Sequence, residues 1–118
     1  MFLNLSNHPS QSWSEAQLTA AKEYGEIQDM PFPAIDADAD EKAIMNLVVE
    51  YFDKIITLSK GNKVTVHLMG EMTFCFTLVA KLKVFGITCV AACSERNVVD
   101  FGNGKKEVEF NFVRFRKY

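Results

Sequence analysis

A strand-like run that stops at a glycine and passes directly into a helical pattern constrains this chain more than any other feature. Apolar and polar residues alternate over residues 63–69, Gly70 follows, and apolar residues then recur at helical spacing over residues 71–85. This arrangement is typical of a parallel strand followed by a crossover helix, with the amino end of the helix facing a ligand crevice. The pattern therefore predicts an α/β fold with a strand-to-helix turn at Gly70.

The other apolar patterns predict a βαβαβαβ order followed by a β-hairpin. Strands are expected at residues 2–6 and 26–30, with helices after each, and the second of these helices has apolar residues at every third or fourth position over 44–58. Residues 87–93 are continuously apolar, as in a strand covered on both faces. Glycines at 102 and 104 then separate strand patterns at 98–101 and 108–116, which indicates an antiparallel hairpin.

Alternating strands and helices with short connections predict a Rossmann-like three-layer sandwich that forms one domain over residues 1–118. We expect the parallel strands in the order 2-1-3-4, with the hairpin on the side of strand four. The adjacent apolar residues Phe112 and Val113 interrupt the alternation of the last strand, which predicts a β-bulge or a switch of face there. A chain of 118 residues with 48% hydrophobic residues can bury such a core without disulfides or metals.

Composition argues against several classes of function. The formal net charge of −2 does not favour binding to duplex nucleic acid. The three cysteines, Cys75, Cys89 and Cys93, form no CxxC pair and no Cys/His cluster, so we expect reduced thiols, no metal site and no cofactor. The sequence has neither a leader pattern nor an apolar run of membrane-spanning length. These features predict a cytoplasmic protein without a membrane span.

Three aspartates before the second helix resemble the start of a calcium loop. Asp36, Asp38 and Asp40 alternate with alanine, but the glycine and the glutamate that such a loop needs are missing. Carboxylates near a helix amino end interact favourably with the helix dipole, and we interpret the aspartates in this way.

In an open α/β sheet, ligands bind beyond the carboxyl ends of the strands, where the strand order reverses. The predicted order places this point between strands one and three, with strand four nearby. The polar and glycine residues that follow these strands are the candidate site residues: Ser6, Asn7, His8, Gly70, Glu71, Met72, Thr73, Ser94 and Arg96.

The turn at Gly70 has two interpretations. Gly70 allows a ligand to approach the main chain, and the amides of the first helical turn, near Met72 and Thr73, can bind an anion. The alternative is that Gly70 only makes a tight turn. Glu71 has three candidate roles, which are a general base, an ion-pair partner of Arg96 and a cap for the helix.

His8 is the candidate for acid–base chemistry, because imidazole titrates near neutral pH. Ser6, His8 and Glu71 together resemble a nucleophilic triad, but the GxSxG turn of serine hydrolases is absent, so hydrolase chemistry of that kind is not expected. His67 lies inside strand three, and we interpret it as a structural histidine that is satisfied in the core or faces a helix.

Arginines near the carboxyl end also have two interpretations. Arg114 and Arg116, like Arg96, are candidate phosphate ligands, because a guanidinium matches a phosphate group in a bidentate manner. The alternative for Arg114 and Arg116 is a charged edge strand that opposes aggregation. The pattern does not choose between contact with a ligand and contact with solvent.

The segment Leu5-Ser6-Asn7-His8-Pro9, with Trp13 and Gln17 after it, resembles the small Rossmann-like, CARF-like proteins associated with type III CRISPR systems. Members of that group bind cyclic oligoadenylate second messengers, and some cleave them as metal-independent ring nucleases. The resemblance implies that Ser6, Asn7 and His8 face such a ligand and that the protein acts in antiviral defence. A ligand with two-fold symmetry further implies a homodimer.

A second hypothesis comes from a different class of function. The hairpin and its aromatic strand then form a surface for a protein partner, and the polar residues at the carboxyl ends of the strands bind a nucleotide only as a regulator. This non-catalytic sensing or interaction module predicts ligand binding without turnover.

Overall fold

The computed structural model describes all 118 residues, and strands alternate with helices along most of the chain. The elements are β1 (Phe2–Ser6), a short 3₁₀ turn (Ser10–Ser12), α1 (Glu15–Lys22), β2 (Ile27–Asp29), α2 (Glu41–Ser59), β3 (Thr65–Met69), α3 (Met72–Val84), β4 (Thr88–Asp100) and β5 (Lys106–Lys117).

The five strands form one mixed sheet in the order β2-β1-β3-β4-β5. The pairs β2–β1, β1–β3 and β3–β4 are parallel, and β4–β5 is an antiparallel hairpin. The predicted order is therefore confirmed, including the parallel placement of β1 directly beside β3. Their register pairs Phe2 with Thr65 and Ser6 with Met69.

One prediction about the strands was wrong. The fourth strand and the first hairpin strand, expected as separate segments, form the single strand β4. The reason is that β4 changes partners along its length: β3 pairs only with Thr88, Cys89 and Val90, and β5 pairs with β4 from Val90 to Asp100. Ser94 and Arg96 consequently lie within a strand and not in a loop at the sheet edge.

The predicted β-bulge is present in β5. Cys93 pairs with Arg114 and Ser94 with Phe112, so Val113 is the extra residue. Because side chains alternate between the faces of a strand, an extra residue reverses the alternation. Phe112 therefore lies on the same face as Phe115, and their ring centroids are 4.9 Å apart.

Two apolar clusters cover the two faces of the sheet. Leu3 and Leu5 of β1 pack in a cluster with residues of α2 and α3, and Phe2 packs on the opposite face with Trp13 and Ala21. Each fully buried leucine contributes about 2 kcal/mol to stability by leaving water. The helices thus lie on both faces of the sheet, an arrangement consistent with a Rossmann-like fold.

The aspartate-rich segment before α2 has the predicted structural role. The Asp40 carboxylate accepts a hydrogen bond of 2.9 Å from the Ala43 amide and caps the helix. Asp36 accepts one of 2.9 Å from the Asp38 amide within the preceding turn. None of the helices combines the length and apolar character needed to cross a membrane.

Candidate ligand-binding site

Polar side chains are buried on the α1 face of β1 and β3. The alternation of β1 places Asn4 and Ser6 on the same face as Phe2, and the register pairs Asn4 with His67 of β3. Asn4 is 1% exposed and His67 is 2% exposed. Buried polar groups at such positions require hydrogen-bond partners, so their bonding decides what the site can do.

The orientation of the Asn4 amide is determined by its partners. Its Nδ2 donates to Asp29 Oδ1 at 2.8 Å and to the His8 carbonyl oxygen at 2.9 Å. Since a carboxylate and a carbonyl only accept, the opposite orientation of the amide would place oxygen against oxygen. Asn4 Oδ1 therefore faces the other way, where it accepts from Ser6 Oγ at 2.7 Å and lies 2.9 Å from His67 Nδ1.

The proton of His67 is consequently on Nδ1, which donates to Asn4. Burial, together with the nearby His8, lowers the pKa of His67 from 6.5 to about 4, so the ring is neutral at pH 7. A neutral ring protonated on Nδ1 carries a lone pair on Nε2. This Nε2 is buried and has no hydrogen-bond partner.

Aromatic rings surround the imidazole of His67. Phe2 stacks against it with centroids 6.1 Å apart, and Trp13 and Phe115 approach edge-on at 5.4 Å and 5.3 Å. The Trp13 indole also donates to the His8 carbonyl oxygen at 3.1 Å, which connects the loop after β1 to the segment just before α1. The ring of His67 is therefore held both by packing and by Asn4.

A cavity of about 890 Å³ extends from His67 between α1 and the hairpin. This volume is in the range of small-molecule sites. Part of its wall is the point where β3 and β4 separate, and there the Ala92 amide contacts Met69 Sδ at 3.2 Å. The residues that line it include no Asp, Glu, Lys or Arg: Ser6, His8, Ser12, Trp13, Ser14, Ala16, Gln17, His67, Met69, Ala92, Ser94, Phe110, Asn111 and Phe112.

Three of the predicted site residues line this cavity, namely Ser6, His8 and Ser94. Asn7 is exposed in the same loop but is not part of the lining. Ser6 is not prepared for nucleophilic attack, because its hydroxyl donates to the amide oxygen of Asn4, which cannot act as a general base.

The turn after β3 is occupied by the chain itself. Glu71 accepts hydrogen bonds from the amides of Thr73 and Phe74, at 2.9 Å and 3.0 Å, and its carboxylate also contacts the Thr73 hydroxyl. These bonds, the one from the Thr73 side chain first, lower the pKa of Glu71. Of its three predicted roles Glu71 has that of the helix cap, and the amides of Thr73 and Phe74 are not free to bind an anion.

Gly70 is covered by an aromatic ring. A Cβ at this position would lie less than 3.0 Å from three ring carbons of Phe32, so the glycine makes room for that ring and not for a ligand. Thr73 lies beside α2, in a separate depression of about 230 Å³ that also includes Asp40 and Met45. Neither Gly70, Glu71, Met72 nor Thr73 lines the cavity that contains His8.

The arginines lie on different faces of the hairpin. Arg96 is paired with Phe110, so both side chains are on the cavity face, with Arg96 beyond the lining. Arg114 and Arg116 pair with Cys93 and Ala91. Alternation places both on the face opposite Phe115, away from the cavity.

Comparison with known proteins gives a family. The chain matches the family described as the uncharacterized protein MJ1673 family over residues 1–116. It belongs to this family. No curated protein and no solved structure shows significant similarity to it.

Within this family member, the structure reveals site residues that the sequence analysis missed. Asn4, Trp13 and Asp29 were not candidates, and His67 was interpreted as a satisfied structural residue. His67 does face α1, but only its Nδ1 is satisfied. The alternation of residues 2–6 contained part of the signal, because it places Asn4 and Ser6 on one face. The structure contains no group of three or more His, Cys, Asp or Glu side chains that could hold a metal ion.

Proposed function

We propose that this protein binds a nucleotide, with the base in the cavity between α1 and the hairpin, and that its ligand is a cyclic oligoadenylate. The observation that carries the proposal is the composition of this cavity, which combines aromatic rings with polar side chains, has no Asp, Glu, Lys or Arg, and includes Ser6, His8 and Ser94. The resemblance of the segment around His8 to ligand-facing residues of CARF-like proteins supplies the choice of ligand.

The position of the cavity supports this proposal. It lies beside the carboxyl ends of β1 and β3, where the strand order reverses, and ligands of Rossmann-like sandwiches bind at such points. We infer that the protein is a Rossmann-like three-layer sandwich that binds its ligand at this point of the sheet. The hairpin then forms a wall that extends the cavity beyond the sheet edge.

The chemistry of the lining supports a base as the bound group. Trp13, Phe110 and Phe112 are the aromatic residues of the lining apart from the histidines, and stacking of a base on such a ring contributes about 1–3 kcal/mol. Gln17 and Asn111 offer both donors and acceptors. Because the lining has no Lys or Arg, the phosphates of a nucleotide would remain outside it, on the side where Arg96 lies next to Phe110.

The symmetry of the proposed ligand suggests two protein copies. A cyclic oligoadenylate has equivalent bases around its ring, and two cavities related by a two-fold axis can each take one. Phe110 is 69% exposed in the single chain, so a ligand or a second copy has access to it. The proposed functional unit is therefore a homodimer.

The geometry favours binding without turnover. Ser6 donates to an amide, and Glu71 caps α3 away from the cavity. The His8 imidazole is exposed, lines the cavity and makes no hydrogen bond within the chain. A metal-independent ring nuclease is thus a second candidate function that rests on His8 alone, while nucleotide sensing requires only the cavity.

Titration with cyclic tetra-adenylate and cyclic hexa-adenylate, followed by calorimetry, tests the proposal. Phe110→Ala removes a ring from the lining and should weaken binding by about tenfold or more. Phe101→Ala is the matched control, since Phe101 is also an exposed ring, at 57%, but lies near the hairpin turn outside the lining. Absence of binding to both ligands, or equal losses in the two variants, would contradict the proposal.

Chromatography of the bound ligand separates sensing from cleavage. Sensing predicts that the cyclic ligand is recovered intact after prolonged incubation. Linear products that form with the wild-type protein but not with His8→Ala would instead support the ring nuclease.

A further inference from the structure

We propose that His67 Nε2 is the recognition atom of the cavity, where it accepts a hydrogen bond from a ligand amino group and so selects a 6-aminopurine. This inference rests on the proposed function, because it assigns the contact that chooses among bases. It uses a residue that the sequence analysis placed in the structural core.

The donor and acceptor pattern around His67 leaves one role for Nε2. Asp29 and the His8 carbonyl orient the Asn4 amide, and Asn4 Oδ1 then holds the His67 proton on Nδ1. The ring is neutral, so Nε2 can accept but cannot donate. Three side chains on adjacent strands, Asp29, Asn4 and His67, thus determine that the cavity prefers a ligand with a hydrogen-bond donor.

The burial of His67 decides how a ligand reaches Nε2. The ring lines the cavity but is 2% exposed, and Nε2 itself is buried, so contact requires the aromatic rings beside His67 to move apart, and water does not substitute freely for a missing ligand group. A buried acceptor without a donor lowers stability, and a ligand that supplies the donor removes that cost. A ligand that presents an acceptor instead would bring two lone pairs together.

The remainder of the lining fits an aminopurine. Trp13 lies edge-on to His67 at 5.4 Å, and Phe110 and Phe112 of the hairpin also line the cavity. A flat heterocycle can therefore stack against an aromatic wall while its edge reaches Nε2. The absence of Asp, Glu, Lys and Arg from the lining also suits an uncharged base.

A pair of nucleosides that differ in one group tests the assignment. Adenosine carries the 6-amino group, and purine riboside lacks only that group. We expect adenosine to bind about 10- to 100-fold more tightly, the discrimination that one hydrogen bond to a buried partner supplies. Imidazole nitrogen chemical shifts give a second readout, because Nε2 should have the shift of an unprotonated nitrogen without ligand and should move when adenosine binds.

Two substitutions separate the two nitrogens of the ring. His67→Asn places an amide nitrogen near the position of Nδ1, so it can still donate to Asn4, but it has no atom at the position of Nε2. His67→Gln offers an amide oxygen near Nε2 and loses the contact with Asn4. The preference for adenosine should disappear in His67→Asn and persist in part in His67→Gln.

The outcomes distinguish this inference from the proposed function. If neither nucleoside nor cyclic oligoadenylate binds, the proposed function fails. If adenosine and purine riboside bind equally, or if His67→Asn keeps the preference, the recognition role of Nε2 is overturned and the cavity remains a nucleotide site. If a variant fails to fold, the nitrogen shifts of the wild-type protein decide, and an unmoved Nε2 shift at saturating adenosine overturns the inference.

Discussion

Asn4 Oδ1 lies 2.9 Å from His67 Nδ1, and both side chains are buried on the same face of two neighbouring parallel strands. The two residues are 63 positions apart in the chain. This contact holds the proton of His67 on one nitrogen and leaves the other as an unpartnered acceptor. The chemical character of the cavity therefore depends on a pairing between β1 and β3 that neither strand determines alone.

The first prediction concerns stability below neutral pH. The pKa of His67 falls from 6.5 in the unfolded chain to about 4 in the folded protein, so the unfolded state takes up a proton first. The contribution of His67 to the free energy of unfolding is complete above pH 6.5 and decreases as the pH falls to about 4, by roughly 3 kcal/mol in total. Urea unfolding across this range measures the decrease.

His67→Asn supplies the comparison for that experiment, because it cannot titrate. The free energy of unfolding of the wild-type protein minus that of the variant should fall by roughly 3 kcal/mol as the pH falls from 7 to 4. A difference that stays constant would show that His67 does not titrate with the lowered pKa.

The second prediction concerns the polarity of the Asn4 amide. Asn4→Asp would place a carboxylate oxygen against Asp29, where the amide nitrogen now lies 2.8 Å from Oδ1, and should cost about 3 kcal/mol. Adding Asp29→Asn supplies a donor and should restore part of the loss. Denaturant unfolding of both single variants and the double variant measures this coupling, and Asn7→Asp, at an exposed position of the same loop, should change stability by less than about 0.5 kcal/mol.

The third prediction concerns the space at Gly70. Gly70→Ala would force the ring of Phe32 to move from its edge-on contact with Phe74, at 5.4 Å, and should cost about 1–3 kcal/mol. In a Phe32→Ala background the same substitution should cost much less, because the ring is gone. A thermodynamic cycle of the four proteins tests this, and equal costs in both backgrounds would contradict the role given to Phe32.

The fourth prediction concerns the cap of α3. Glu71→Ala should lower the thermal midpoint at pH 7, since the amides of Thr73 and Phe74 lose their acceptor, while nucleotide binding should be unchanged. Because the folded pKa of Glu71 is lowered, its stabilising effect is present above the ordinary pKa of the carboxyl and decreases as the pH falls through the lowered value. Glu95→Ala, on an exposed strand position, is the matched control. A loss of nucleotide binding in Glu71→Ala but not in Glu95→Ala would show that Glu71 contributes to the ligand site.

Local patterns predicted the fold well. The order of the parallel strands followed from alternating elements with short connections, and adjacent Phe112 and Val113 indicated the bulge that is present. The continuity of β4 was missed, because it depends on hydrogen bonds from β5 after β3 has ended. Such bonds are a property of the assembled sheet.

The candidate site was only partly predictable. Ser6, His8 and Ser94 do line one cavity, since the carboxyl ends of adjacent strands meet at one edge. The turn at Gly70 looked equally suitable in the sequence. In the structure Glu71 accepts the hydrogen bond of the Phe74 amide, and the ring of Phe32 fills the space beside Gly70. Phe32 and Gly70 are far apart in the chain, so no local sequence pattern indicates their contact.

The sequence by itself determined the alternation of residues 2–6, the helical spacing and the turns, because these depend on neighbours along the chain. Only the tertiary structure decided which polar groups share a cavity. The register of β1 against β3 sets Asn4 opposite His67. The extra residue Val113 brings Phe112 to the same face of the sheet as Phe115. The physical reason is that burial and hydrogen-bond pairing arise only when residues far apart in the chain pack together in the sheet and exclude water.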